Sequence, residues 1–514
     1  MSLAQRLPSE LREFLSLPGP QSLLVRGPPG SGKTTLCLAL LEAATGRKVL
    51  VTSRVSQNEL LRGFPWLGEN GGSGIHIVDT SNLDYTVRDV SRTMADTRRL
   101  VDESGPAVRE LTEFLWLPGP VQEAWSHLPP DSSSIVVIDS WDALVEQYMG
   151  GTGTTAPEIP DRGEVERMLL RHLGRGKAHV VIVLERREES QLDYLTNGVV
   201  VTQREMGNDR LERWLHLPKL RGIRIANAFY PYTVEAARFQ CIEPIKAYTR
   251  MRRGPHEAEP DSMPGHIWPG STAFAENFGR LPLGKVTLIE TDGDIQEHIV
   301  QLLLSPMIAS VISVGGRALL IPSPSLSARE IWDSVQHPGP PRHRIVAGFR
   351  VADVTGQLEP GAKQVGPEFT KIVLPLTTFT SPPAHGPEGG PVVESPLNQF
   401  LTSGGPGGTP VLGLAYAGGF ASIGSSLGSP VTADMIESFP AMVQTGLASA
   451  PMHFAVVGRS GMPLFDSLRS IAAIHINLRG RQGRVFVYGS KPWTTGLVLT
   501  EGTDSQPYDL LRIV

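Results

Sequence analysis

The segment GPPGSGKT, Gly27 to Thr34, constrains the fold of this chain more than any other. It fits G-x-x-x-x-G-K-[ST] and stands between the strand-like run SLLVR and the helical run TLCLALLEA. That order is a mechanical requirement of the motif. Glycines let consecutive backbone N–H groups curl around an anion, and the helix that follows points its positive end at the same place. The expected ligand is the phosphate chain of ATP or a similar nucleoside triphosphate with Mg²⁺, surrounded by Gly27, Pro28, Pro29, Gly30, Ser31, Gly32, Lys33, Thr34 and Thr35. Lys33 would reach the β- and γ-phosphates, and Thr34 would ligate the metal.

The rest of the first half supplies the sheet that such a loop needs. The runs KVLVTS, IHIVDT, SIVVIDS and HVVIVLE alternate with helix-length segments, which predicts a mostly parallel sheet flanked by helices. The runs VVVTQRE and ERWLHLP, joined through Met206, Gly207, Asn208 and Asp209, predict an antiparallel hairpin at its end. In SSIVVIDS the apolar run Ile135 to Ile138 leads into Asp139, at the C-terminal end of a buried strand, where open α/β sheets bind ligands. A strand ending in Asp is commonly just a strand before a turn. Paired with the phosphate loop, Asp139 is expected to hold Mg²⁺ through water, with Ser140 or Asp142 helping to orient it.

At these residues the chain resembles the RecA superfamily, in its KaiC-like branch. The resemblance rests on IDSWDAL and on LERREESQLDYLTNGVVVTQREMGNDRLERWLHLPKLRG followed by YPYTV. Within that branch LPSELREFL, TSRVSQNELL, FPWL and LWLPGPVQEAW are most similar to the archaeal gas-vesicle regulator GvpD and its relatives. The resemblance implies that Lys219 and Arg221, in PKLRG, project to the γ-phosphate of a neighbouring subunit, and hence a homo-oligomer, ring-like in this family. Without it, the same residues read as a hairpin end carrying solvated charge. One departure stands out. Members of this branch place paired glutamates after the second core strand to activate water, whereas this chain has Ser53, Arg54 and Val55 there. Arginine accepts no proton at working pH. Hydrolysis would then need another carboxylate, such as Asp142 or Glu185, or would be slow; Glu59 reads as a solvated helix-face residue.

At 514 residues the chain is too long for one ordinary core. The Pro/Gly-rich, charged run from Arg252 to Thr272 marks a boundary, giving a first domain at 1–250, a linker at 251–275 and a second domain at 276–514. A second such run, Ser381 to Pro410, reads as a mobile surface insertion. Strand-like and hairpin-like runs recur in the same order in both halves, including Pro231-Tyr232-Thr233 against Pro492-Trp493-Thr494. The fold class expected is therefore α/β, as tandem RecA-like P-loop domains, the second with a degenerate nucleotide site. After GKVTLIE it carries Glu290, Asp292 and Asp294, whose charge repels a triphosphate, and VLGLAYAGG has no acid matching Asp139.

Composition narrows the setting. A 40% hydrophobic content excludes a mostly disordered chain, and a formal net charge of −5 gives no bulk attraction to nucleic acid or anionic lipid. Two cysteines, Cys37 and Cys241, make no disulfide framework, and no run is long enough to span a bilayer, so a cytoplasmic protein is expected. The basic groups Lys246, Arg250, Arg252 and Arg253, and Arg479, Arg481 and Arg484, read as solvated surface before they read as a docking patch. The leading expectation is an ATP-binding, weakly hydrolysing regulatory ATPase whose nucleotide state controls oligomer or partner association, the partner being a protein such as a transcriptional regulator. A recombinase-like DNA-dependent ATPase is the alternative, disfavoured because GGTGTTAPEIPDRGE carries acids and almost no cations. A catalytically silent ATP-binding scaffold is the third reading.

Overall fold

The computed structural model describes residues 6–68, 74–80, 117–128, 134–150, 161–175, 178–186, 188–244, 257–259, 261–323, 325–336, 339–353, 371–373, 409–418, 452–502 and 506–514. The insertion at 381–408, the basic residues Lys246, Arg250, Arg252 and Arg253, and most of the GGTGTTAPEIPDRGE segment lie outside the described residues. The chain divides into two compact units, one of residues 1–243 with 513–514 and one of residues 244–512.

The first unit is built on a nine-stranded sheet. Its strands are β1 (Ser22–Arg26), β2 (Lys48–Thr52), β3 (Ile75–Asp79), β4 (Ser134–Asp139), β5 (Ala178–Leu184), β6 (Gly198–Gly207), β7 (Arg210–Leu220), β8 (Phe229–Thr233) and β9 (Gln240–Cys241). They lie in the order β3-β2-β4-β5-β1-β6-β7-β8-β9, parallel through β6 and antiparallel beyond it. The central strands are apolar at successive positions because both faces are covered. Leu23, Val25, Leu50, Ile135, Val137 and Val183 face one core, with Leu36 and Leu40 of the helix Lys33–Ala43. Their neighbours Leu24, Val49, Val136 and Ile182 face the other, with Val121, Leu144 and Val165 from three further helices. Continuous apolar strands of this kind are the mark of a sheet buried on both sides.

The hairpin β6–β7 is two residues longer on its first strand than the sequence suggests. Met206 and Gly207 pair with Leu211 and Arg210, and the turn is Asn208-Asp209 alone. Both turn residues have positive φ, 49° and 59°, the left-handed pair that a two-residue type I′ turn demands and that Asn and Asp tolerate.

The second unit carries a ten-stranded sheet. Its main strands are β12 (Val286–Thr291), β13 (Arg317–Ile321), β14 (Phe349–Asp353), β15 (Lys371–Val373), β16 (Val411–Tyr416), β17 (Met452–Arg459), β18 (Ala472–Arg481), β19 (Arg484–Lys491), β20 (Gly496–Glu501) and β21 (Tyr508–Ile513). The order is β15-β14-β13-β16-β17-β12-β18-β19-β20-β21. With the edge strand β15 set aside, this is the first sheet's order strand for strand. The hairpin β18–β19 closes on Gln482-Gly483, again with two positive φ values, 53° and 69°.

Register makes the correspondence residue-specific. With Ala178 of β5 and Met452 of β17 as the common reference, their partners Ser134 and Val411 correspond. So do Ser22, opposite Val180, and Val286, opposite Phe454. Counting along the same strands places Arg26 with Glu290 and Asp139 with Tyr416.

One expectation needs correcting. The stretch 251–275 is not a linker throughout: His266–Ile267 forms the short strand β10, paired with β11 (Leu281–Pro282), and Thr272–Phe278 is a helix capped by the Ser271 side chain. Glycine and proline density suggested a loose segment, but Ile267, Trp268 and Phe274 are buried, and Ile267 and Phe274 belong to the second core. The unit boundary accordingly falls at Glu243 and Pro244, before the expected 250.

Candidate phosphate site

The loop after β1 has the local structure its sequence demands. Gly30 and Gly32 adopt φ of 71° and 84°, a region closed to most side chains, and Gly32 caps the helix that begins at Lys33. Gly27 is required for a different reason: a Cβ there would lie 2.3 Å from Thr202 Oγ1 and 2.4 Å from the Thr202 carbonyl. The loop therefore packs directly on β6 and tolerates no side chain at its first position.

Thr202, Arg213 and Tyr232, on β6, β7 and β8, hold the loop from the antiparallel side of the sheet, and sequence reading assigned none of them this role. Ser31 Oγ donates to the Pro28 carbonyl at 2.7 Å and meets Thr202 Oγ1 at 2.7 Å. Arg213 of β7 donates to the Gly30 carbonyl at 2.8 Å. The Tyr232 hydroxyl, fully buried on β8, donates to the Ser31 carbonyl. Burial pushes the Tyr232 phenol up to about 12, so it remains a donor at any physiological pH. The recurrence of Pro-Tyr-Thr and Pro-Trp-Thr in the two halves drew attention to Tyr232 without saying what it does.

Inside the loop, Lys33 is buried and donates to the carbonyls of Gly27 and Pro28 at 2.9 and 3.0 Å. Burial lowers its pKa, against the pull of Glu185 and Asp139, which raises it. Thr34 Oγ1 donates to Asp139 Oδ2 at 2.6 Å, so the first turn of the helix and the end of β4 meet. Burial raises the Asp139 pKa, opposed by the Thr34 hydrogen bond and by Lys33. A hydroxyl and a carboxylate side by side form a hard oxygen donor pair that suits Mg²⁺, and the partly buried carboxylate gains from a cation beside it.

The carboxylates available to activate water are both engaged. Glu185, just after β5, pairs with Arg54 at 2.6 Å. Asp142 is contacted by Arg162 at 2.6 Å and by Arg186, and it accepts the Glu185 backbone N–H at 3.0 Å. Burial alone would raise the Asp142 pKa, but the Arg186 and Arg162 hydrogen bonds outweigh it and hold the group low. Ser53 and Ser140 lock the two strand ends together, Ser53 Oγ donating to the Ser140 carbonyl at 2.9 Å. Glu59 caps its own helix by accepting from the Ser56 backbone at 3.0 Å, consistent with a structural role.

Lys219 and Arg221 are not brought to the loop of their own chain. Lys219 pairs in register with Val199, near the start of β6, while the phosphate loop follows the far end of β1. Lys219 Nζ donates to the carbonyls of Asp193 and Tyr194 at 2.8 and 3.2 Å, and Arg221 to that of Tyr194 at 3.3 Å.

In the second unit the corresponding positions carry different chemistry. Glu290, at the register position of Arg26, is buried and accepts two bonds from Arg469 at 2.6 and 2.8 Å and one contact from His475 at 2.8 Å. The loop Asp292 to Gln296 then leads into the helix Glu297–Ser313 and contains no lysine. Tyr416, at the position of Asp139, is buried and accepts a hydrogen bond from Gln301 of that helix at 2.8 Å.

The family described as the GvpD gas vesicle protein, P-loop domain, matches residues 11–218. Protein GvpD2 of Halobacterium salinarum is 29% identical over 248 residues, 47% of this chain and 45% of its own length. Protein GvpD1 of the same organism is 27% identical over 246 residues, 47% of this chain and 42% of its own length. The chain thus spans less than half the length of these curated relatives, and the family match stops short of the second unit.

Proposed function

Starting from a first unit that is GvpD-like and carries the P-loop of that family, we propose that the chain is a nucleotide-dependent regulator that binds ATP with Mg²⁺ in its first unit alone. The observation that carries this reading is the contact of Thr34 with Asp139 at 2.6 Å beside a buried Lys33. Gly27 to Thr35 would enclose the phosphates through backbone N–H groups, Lys33 would turn from the loop carbonyls to the β- and γ-phosphates, and Thr34 and Asp139 would hold the metal. When bound, Mg²⁺ supplies charge neutralisation on the phosphate oxygens. Both units are read as RecA-like, a tandem pair whose second member has lost its site.

Slow hydrolysis follows from the residues around the γ-phosphate position. Arg54 stands where an acid would be needed, and its own partner is Glu185, the acid that could replace it. A phosphate that is held but slowly cleaved suits a switch, in which the bound state lasts long enough to set an assembly. In this reading Lys219 and Arg221 serve that switch in trans, reaching the γ-phosphate of a neighbouring subunit in a homo-oligomer; that they bond to the Asp193 and Tyr194 carbonyls and not to their own loop supports it. Binding to a protein partner, such as a transcriptional regulator, completes the proposal, and the matching family's description as a gas vesicle protein supports gas-vesicle control as its setting.

The deciding experiment follows phosphate release and oligomer size together in the purified chain with Mg-ATP, against Lys33→Ala and Asp139→Asn. Assembly and turnover lost in both variants support a hydrolysing switch. Nucleotide-dependent assembly without turnover supports a binding-only regulator, and no binding of Mg-ATP by the wild-type chain overturns the proposal.

A further inference from the structure

On the first unit's outer strand, a second cluster of chemistry-bearing side chains lies apart from the phosphate loop. His76, Glu123 and His127 each present a ligand atom within 4.8 Å of the other two. Glu123 and His127 are four residues apart on and just beyond the helix Gly119–Ser126, so they project from one face of it. His76 is the second residue of β3, the outer strand of the described sheet, paired with Val49 of β2. Because the strands are parallel, that position lies toward the end of the sheet opposite the phosphate loop. Val121 and Ala124 of the helix are buried in the same core as Val49, which fixes the helix against these strands.

The two imidazoles lie with centroids 3.8 Å apart and planes inclined at 45°. Among the described residues neither ring makes a hydrogen bond. Two inclined rings with a carboxylate beside them bring together three ligand atoms of the kinds that divalent transition metals take.

We propose that His76, Glu123 and His127 form a three-ligand site for a divalent transition metal of the Zn²⁺ class, with a fourth position open to water. Two nitrogen donors and one carboxylate oxygen are a donor set that Zn²⁺ takes readily in tetrahedral geometry. Mg²⁺ is a poor fit, since it demands six hard oxygen ligands and gains little from imidazole. The site is therefore chemically distinct from the Thr34–Asp139 pair, and the two can be filled independently. The half-buried histidines and the exposed Glu123 leave an approach from solvent. A bound ion would clip β3 to the helix, tying together His76 and His127, which are far apart in the chain, and so would stabilise the folded state relative to the unfolded one.

The test uses the full chain, freed of metal with a chelator and then held in excess Mg²⁺ so that the phosphate site is not the one read. Zn²⁺ is titrated against a chromophoric competitor, and Co²⁺ is added separately for its visible absorption bands. One equivalent of Zn²⁺ is expected to bind with Kd below about 1 µM, to raise the thermal midpoint, and to be replaced by Co²⁺ with the intense bands of a four-coordinate ion. His76→Ala and His127→Ala should each weaken binding at least ~100-fold, since losing a ligand costs more than losing the outer-shell partner of one. Glu123→Gln, at an exposed position where folding is safe, keeps an amide oxygen in the ligand position but loses the charge, and should weaken it about 10-fold and reduce the thermal shift. The proposal is overturned if the wild-type chain binds no equivalent of Zn²⁺ below about 1 µM, or if Glu123→Gln and either histidine variant bind it as tightly as wild type.

Discussion

Replacing Tyr232 with Phe removes one oxygen and leaves the ring in place, stacked on Phe239 at a centroid distance of 4.8 Å. The hydroxyl it removes is the donor to the Ser31 carbonyl, and Tyr232 is fully buried. A buried acceptor stripped of its donor costs about 1–3 kcal/mol. Part of that cost is recoverable here, because Pro29 and Gly30 of the same loop are exposed and the loop can relax toward water. The net loss is therefore about 1–2 kcal/mol. If the loop must be ordered to enclose phosphate, this cost falls on binding, and Kd for Mg-ATP rises about 5- to 30-fold, at 1.4 kcal/mol per factor of ten. The assay is displacement of a fluorescent nucleotide analogue at fixed Mg²⁺ and pH, with the thermal midpoint of the nucleotide-free protein measured in parallel. A Kd within twofold of wild type, with the midpoint lowered as expected for a lost buried bond, would show that Tyr232 fills the core without shaping the loop. That result would refute the argument.

Three further outcomes follow from the same geometry. Because burial raises the Asp139 pKa, the folded nucleotide-free state binds more protons than the unfolded chain, so its stability falls as pH rises through that elevated value. Asp139→Asn should remove this slope in urea titrations from acid to neutral pH, raise the nucleotide-free thermal midpoint at neutral pH, and abolish its response to Mg²⁺. Restoring acids with Arg54→Glu and Val55→Glu should increase phosphate release about 100-fold, the low end for a general base, and no gain would mean that the missing acids do not limit turnover. In the second unit, Arg469→Met should strip Glu290 of its main partner at a cost of about 2 kcal/mol, below the range for a fully buried pair because Arg469 is 39% exposed. Hydrogen exchange of the β12 and β18 amides reads this as roughly 30-fold faster exchange, and the Glu290→Gln, Arg469→Met double variant should recover much of the loss.

Most of the framework was legible in the sequence because it depends on short-range patterns. Apolar runs of four to six residues between helical stretches gave the parallel strands, and the strand, glycine loop and helix order gave the phosphate site. The hairpin was legible, but its turn is Asn208-Asp209 rather than the longer Met206 to Asp209 connection, because positive φ at two residues is not visible in composition. The same blindness hid the folding of 266–275, where three buried apolar residues outweigh the prolines and glycines around them. What could not be read was long-range partnership. Nothing local says that Tyr232 reaches Ser31, about 200 positions earlier in the chain, that Arg213 holds Gly30, or that Arg54 and Glu185 neutralise each other. The cluster of His76 with Glu123 and His127 was hidden for the same reason, since strand and helix meet only through the fold.

The substitution of a buried Tyr416–Gln301 pair at the register position of Asp139 has a consequence for how this molecule can be observed. A carboxylate in that place would make the second unit's stability depend on what is dissolved around it; a tyrosine and an amide joined by one hydrogen bond and carrying no charge make it indifferent. On the proposed reading, each chain then contains both a reporter and an internal standard. Nucleotide should displace one melting transition and leave the other where it was, so a single thermogram separates a ligand effect from a change in buffer, salt or handling that moves both.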